Sequence, residues 1–228
     1  MKEQIYTIPI NEAFEQEDGC PVCRLYEKLE ESSLDYIMGA AMMEPDVRIK
    51  TNEQGFCSAH FAKMLTMKNR LSLALMLESR LQEIEKQLFE KTGKAFSGAP
   101  DPKKFSAAAE TMAGSCFVCR RIDSFMDNYY KNVVYLWKTE QDFRDKFAAQ
   151  PYFCIHHVSA LLNYAKKGLG SKEQAAFTQE MARIERAYVQ ALHDDVSKFC
   201  KSFDYRYAGE ELGSAKDSVE RAALFLGK

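Results

Sequence analysis

Cys20-Pro21-Val22-Cys23-Arg24 opens a helical stretch and is answered by Cys57-Ser58-Ala59-His60. Further on, Cys116-Phe117-Val118-Cys119-Arg120 is answered by Cys154-Ile155-His156-His157. Each half of the chain therefore offers three sulfurs and one imidazole. Cys23 and Cys57 enclose 33 residues (24–56), and Cys119 and Cys154 enclose 34 (120–153), so the halves run almost in register. A tetrahedral Zn²⁺ site takes four soft or borderline ligands, and two residues between ligands let one tight turn aim both side chains at one ion. The spacing predicts two Zn²⁺ ions per chain. One is expected on Cys20, Cys23, Cys57 and His60, the other on Cys116, Cys119, Cys154 and His157. In the second set His156 or His157 can serve, and matching the spacing of His60 selects His157.

Rival readings of the motifs are weaker. Free thiols need no second matched set, a redox dithiol needs no CxxH counterpart, and iron–sulfur ligation more commonly uses four cysteines. The ligand cysteines sit at or near expected helix starts, where unpaired backbone N–H groups and the helix dipole favour the thiolate. Arg24 and Arg120 add positive charge beside the same sulfurs. A Cys₃His set is closed and leaves no position for a reactive water, so each ion reads as structural.

Working outward, Gly (11) and Pro (6) are sparse in 228 residues and cluster at a few breaks, which predicts an all-α fold. Helices are expected over about 22–42, a short one to residue 50, a bent tract over 58–91, then 118–138, 140–149, 155–167, 172–201 and 214–226. Ser171 is expected to cap the helix that follows it. Residues 92–104 combine Gly, Pro and charge as a connector does. The predicted organisation is a first helical zinc unit (1–91), a linker (92–112) and a second zinc unit with C-terminal helices (113–228), the two units being pseudo-repeats.

An apolar content of 46% supplies a core without metal as its sole source of stability, and a net charge of −2 gives no pull toward nucleic acid. The first ten residues lack a secretory signal and no segment reaches the roughly 20 apolar residues of a membrane span, so a cytoplasmic location is expected. Glu27 and Glu31, with Asp123 and Asp127, read as solvated helix faces, since a di-iron bundle adds Glu-x-x-His motifs that are absent. His193 reads as a surface histidine and Cys200 as packed or merely inert rather than nucleophilic. Tyr129, Tyr130, Tyr135, Trp137 and Phe143 read mostly as core, with a groove between the units, lined also by Met38, Met42 and Met43, as the other use. Phe203-Asp204-Tyr205-Arg206-Tyr207 reads as a turn packed on the body, with Asp204 and Arg206 satisfying backbone or each other.

These motifs also resemble a family of uncharacterised bacterial helical proteins with Cys-Pro-x-Cys and Phe-Cys-x-x-His elements. The resemblance takes in Thr7-Ile8-Pro9-Ile10 with Ala13-Phe14, Cys20-Pro21-Val22-Cys23, Gly55-Phe56-Cys57 with His60, Tyr135-Leu136-Trp137-Lys138, Phe153-Cys154 with His157, and Phe203 to Arg206. It covers nearly the whole chain and implies no catalytic role, because the family is a domain of unknown function. Cys116-Phe117 departs from the proline that follows Cys20.

Taken together, the sequence predicts a helical binding or scaffold module for a protein or small-molecule partner, without a membrane. No nucleophile, base or phosphate loop stands out, so no catalytic residue is assigned. A zinc–thiolate redox switch is the alternative, and an enzyme with a site between the units comes third.

Overall fold

A computed structural model describes residues 4–91, 100–207 and 209–227 of the chain. Among the described residues there are eleven α-helices and no strand. They are α1 (Gln4–Phe14), α2 (Pro21–Met38), α3 (Pro45–Gln54), α4 (Ser58–Thr66), α5 (Arg70–Glu85), α6 (Pro102–Ala113), α7 (Phe117–Thr139), α8 (Gln141–Ala148), α9 (Ile155–Gly168), α10 (Ser171–Lys201) and α11 (Ser218–Leu226).

Local chemistry sets the helix ends. Asn69 accepts a hydrogen bond from the Ser72 N–H at 3.2 Å and starts α5, which divides the expected bent tract. Gly170, not Ser171, is the N-cap of α10, and the Glu173 carboxylate reaches back to the Gly170 N–H at 2.9 Å. Gly55 closes α3 at φ 61° and ψ −157°, a conformation essentially confined to glycine.

Two helices stand where none was expected. α1 carries Pro9 inside it, and proline costs a helix interior about 3 kcal/mol or more. Its face of Ile10, Ala13 and Phe14 is at most 1% exposed, and that burial outweighs the loss. α6 occupies much of the stretch expected to be linker. Asp101 Oδ1 accepts from the N–H groups of Lys103 (3.0 Å) and Lys104 (3.3 Å), and Pro102 sits in the first turn. The rest of the expected connector, residues 92–99, lies outside the described residues.

The chain forms two compact units that are not its sequential halves. One comprises residues 1–27 and 126–228, the other residues 28–125, so the division falls inside α2 and inside α7. The first unit is built on an aromatic core: Phe14 lies 4.9 Å from Phe143, Phe147 lies 4.8 Å from Phe153 and 5.2 Å from Phe177, and Trp137 meets Phe177 edge-on. The second unit is aliphatic and Met-rich, with Ile37, Met38, Met64, Leu73, Met76, Val118 and Ile122 buried.

Several smaller expectations resolve here. Tyr129, Trp137 and Phe143 are core, whereas Tyr135 and Met43 are exposed. Glu27, Glu31 and Asp123 face solvent, as does His193, and Cys200 is exposed. The Phe203–Tyr207 element departs in part from its expectation: Phe203 and Tyr205 are 78% and 87% exposed, Phe203 meeting Phe199 edge-on, while Asp204 and Tyr207 are half-buried. Asp204 and Arg206 do satisfy each other, since Asp204 accepts from the Arg206 guanidinium and from its backbone N–H at 3.0 Å.

Candidate metal centres

All eight predicted ligands converge into two sets, but the pairing is crossed. Cys20 and Cys23 meet Cys154 and His157, while Cys57 and His60 meet Cys116 and Cys119; within each set the donor atoms lie within 4.8 Å of one another. Each set lies inside one compact unit, the first in residues 1–27 and 126–228 and the second in residues 28–125. The physical reason is connectivity. α2 begins in the first unit together with α9, and α7 begins in the second together with α4. Equal motif spacing fixes how many residues separate two turns, not which turns share a unit.

In the first-unit centre, Cys154 is the N-cap of α9 and His157 lies in that helix's first turn. Cys20 immediately precedes α2 and Cys23 is in its first turn. His157 Nδ1 lies 3.0 Å from the Cys154 sulfur, 3.3 Å from Cys23 and 3.5 Å from Cys20, and the Cys23 and Cys154 sulfurs are 3.6 Å apart. Cys20, Cys154 and His157 are buried and Cys23 is half-buried; the neighbouring His156 is exposed. The ligand loops are held by the protein itself. Gln150 Nε2 donates to the Phe14 carbonyl at 2.8 Å, and the Phe153 N–H donates to Glu185 Oε1 at 2.8 Å. Burial pushes the Glu185 carboxyl up to about 7. Arg24 spends its donors on the Ala13 carbonyl and on Asp18 rather than on the sulfurs.

The second-unit centre repeats the plan. Cys57 is the N-cap of α4 with His60 in its first turn, and Cys116 and Cys119 flank the start of α7. His60 Nδ1 is 3.1 Å from Cys57, 3.3 Å from Cys116 and 3.5 Å from Cys119, and the Cys57 and Cys119 sulfurs are 3.9 Å apart. Cys116 and His60 are buried, and Cys57 and Cys119 are half-buried. The two ligand loops are joined through backbone: Phe117 N–H donates to Gly55 O at 2.9 Å and Ser115 Oγ to Gln54 O at 2.7 Å. Arg80, 8% exposed, donates to the Asn52 carbonyl and lies where a side chain on Gly55 would go.

Charge is unevenly shared among the donors. Against burial, the N–H groups of His60 and Ala59 and the Cys116 and Cys119 side chains hold the Cys57 thiol below its ordinary value. Cys154 is lowered by its bonds to Cys20 and Cys23. The partners move the other way: Cys23 is raised by bonding to Cys154 and Cys20, and burial with Cys116 pushes Cys119 up to about 12. Burial depresses His157, but Cys154 and Cys20 overcome it and lift the imidazole to about 9. Burial leaves His60 lowered. Crowded sulfurs of this kind reach full ionisation when a cation neutralises them.

Three contributors carry no sequence signal. Glu30, Arg80 and Glu185 sit on helices as ordinary charged residues, and only the fold brings them to the ligand turns. Among the described residues no helix is long and apolar enough to cross a membrane. No curated protein and no solved structure matches the chain. A family model does, over residues 1–228, and the chain belongs to that family, the family of unknown function DUF6062.

Proposed function

We propose that the protein is a zinc-binding helical module of the cytoplasm, with two structural Cys₃His ions, that works by presenting a shape to a protein or small-molecule partner. The observation that carries the reading is the convergence of eight soft donors into two four-membered sets. Zinc bonds of about 2.3 Å to sulfur and 2.0–2.1 Å to nitrogen give tetrahedral edges of about 3.8 Å between sulfurs and about 3.6 Å from sulfur to nitrogen. One sulfur pair in each set, at 3.6 and 3.9 Å, lies close to the sulfur edge, the sulfur-to-Nδ1 separations of 3.0–3.5 Å are shorter than theirs, and every donor pair lies within 4.8 Å. Three sulfurs with one imidazole favour zinc over hard cations. Six of the seven cysteines fall in the two donor sets, a use of cysteine that fits a reducing compartment.

The redox-switch reading draws on Cys57 and Cys119, half-buried with sulfurs 3.9 Å apart. One experiment separates the two. Purified protein is analysed for metal, then treated with graded chelator or peroxide while ion release and helix content are followed. Two zinc ions per chain, released only as the fold loosens, support the structural reading. Release at modest peroxide from a folded chain, reversed by reductant, supports the switch. Absence of zinc overturns both.

A further inference from the structure

The two centres differ at the far side of their histidines. His60 turns Nδ1 to the sulfurs, and its other nitrogen, Nε2, lies 3.1 Å from Glu30 Oε1. Glu30 is on α2, its side chain only 13% exposed, and its second oxygen pairs with Lys63, one helical turn beyond His60 on α4. Burying a carboxylate is costly unless it is paired, and here the His60 ring and Lys63 supply the two partners. A carboxylate on the outer nitrogen of a metal-bound histidine fixes the tautomer with Nε2 protonated, aims the Nδ1 lone pair, and makes the ligand more basic. His157 has a different setting. Its outer surroundings include the Tyr130 ring at 6.2 Å, and Tyr130 stacks on Tyr164 at 5.0 Å. Sequence register gives the same contrast. Glu30 lies seven residues after Cys23, and the position seven residues after Cys119 is Met126, a buried side chain with no carboxylate to offer.

We infer that Glu30 is a positioning residue for the His60 centre and makes the two metal sites unequal, the second-unit ion being the one whose retention depends on an outer carboxylate. The inference rests on the metal reading above. Glu30 acts through His60: its carboxylate holds the Nε2 proton, and Lys63 holds the carboxylate. Without it, the His60 ring can rotate or change tautomer, and the fourth ligand is lost part of the time.

The test compares wild type, Glu30→Gln and Glu30→Ala, each loaded with zinc and titrated with a competing chelator. Cys20→Ser/Cys154→Ser versions are run beside them to isolate the second-unit centre. Glu30→Ala should lower that centre's zinc affinity about 10- to 100-fold and leave the first-unit centre unchanged. Glu30→Gln, which keeps an acceptor oxygen, should recover part of the loss. Long-range ¹H–¹⁵N spectra of His60 provide a readout that a merely structural role does not move: one Nε2-protonated form in wild type, a mixture in Glu30→Ala. Two ions bound with equal retention in all three proteins, or equal loosening of both centres, overturns the role of Glu30 alone. A wild-type protein that binds no zinc overturns the metal reading, and this inference with it.

Discussion

Cys119 and His157 show how the ligands behave one residue at a time. Without an ion, Cys119 is pushed up to about 12 by burial and Cys116, and the Cys154 and Cys20 sulfurs lift His157 to about 9 against its burial. Both therefore carry a proton at pH 7, and coordination requires a thiolate and a neutral imidazole. The sign follows: binding expels protons, so affinity rises with pH and falls as the solution is acidified. His60 is lowered and has no such proton to lose at pH 7. Zinc binding to the Cys57→Ser protein, which retains the first-unit centre, should thus depend more steeply on pH than binding to Cys154→Ser. Calorimetry in buffers of different ionisation enthalpy measures the proton count directly, and equal release from both proteins would contradict the assignment. At this scale the eight candidate donors that converge were legible, because Cys and His at fixed spacing stand out in a sequence. Glu30 was not, because a glutamate on a helix face carries no mark that a histidine 30 residues away will meet it.

Among the elements, the segment from α3 to α4 shows how backbone prepares a ligand turn. Gly55 ends α3 in a glycine-only conformation, and its carbonyl receives the N–H of Phe117 at the start of α7. A Cβ at Gly55 would stand 3.3 Å from the Arg80 guanidinium, which itself satisfies the carbonyls at the end of α3. Gly55→Ala should cost about 1–3 kcal/mol of stability and weaken zinc retention at the second-unit centre only. Gly114, at φ −88°, provides the control and should accept alanine with little change. Urea unfolding with parallel metal analysis checks both, and equal effects at the two glycines would contradict the account. Helix positions were mostly legible from sparse Gly and Pro, to within a few residues at each end. α6 was missed because the Gly and Pro of the connector masked a real start signal, Asp101-Pro102 ahead of three alanines. α1 was not expected, and the burial of Ile10, Ala13 and Phe14 is what offsets the Pro9 inside it.

For the whole molecule, the crossed pairing sets how bound ions would constrain the chain. The first-unit centre joins Cys23 to Cys154 across a sequence separation of 131 residues, where the sequential pairing would have spanned 33 intervening residues. That is about two doublings of loop length, each adding about 0.6 kcal/mol to the closure entropy withheld from the unfolded chain. With ions bound, the nested arrangement would thus tie distant segments more effectively than two local clips. This was the part least legible in the sequence: two CxxC and two CxxH turns allow either pairing, and their equal spacing favours the one that the fold does not use. The most direct test counts zinc after a mild chelator wash in two double variants, Cys20→Ser/Cys154→Ser and Cys20→Ser/Cys57→Ser. The crossed pairing predicts that the first retains one ion per chain, since both changes fall in one centre, and that the second retains none. One ion in Cys20→Ser/Cys57→Ser with none in Cys20→Ser/Cys154→Ser would restore the sequential pairing and contradict the account.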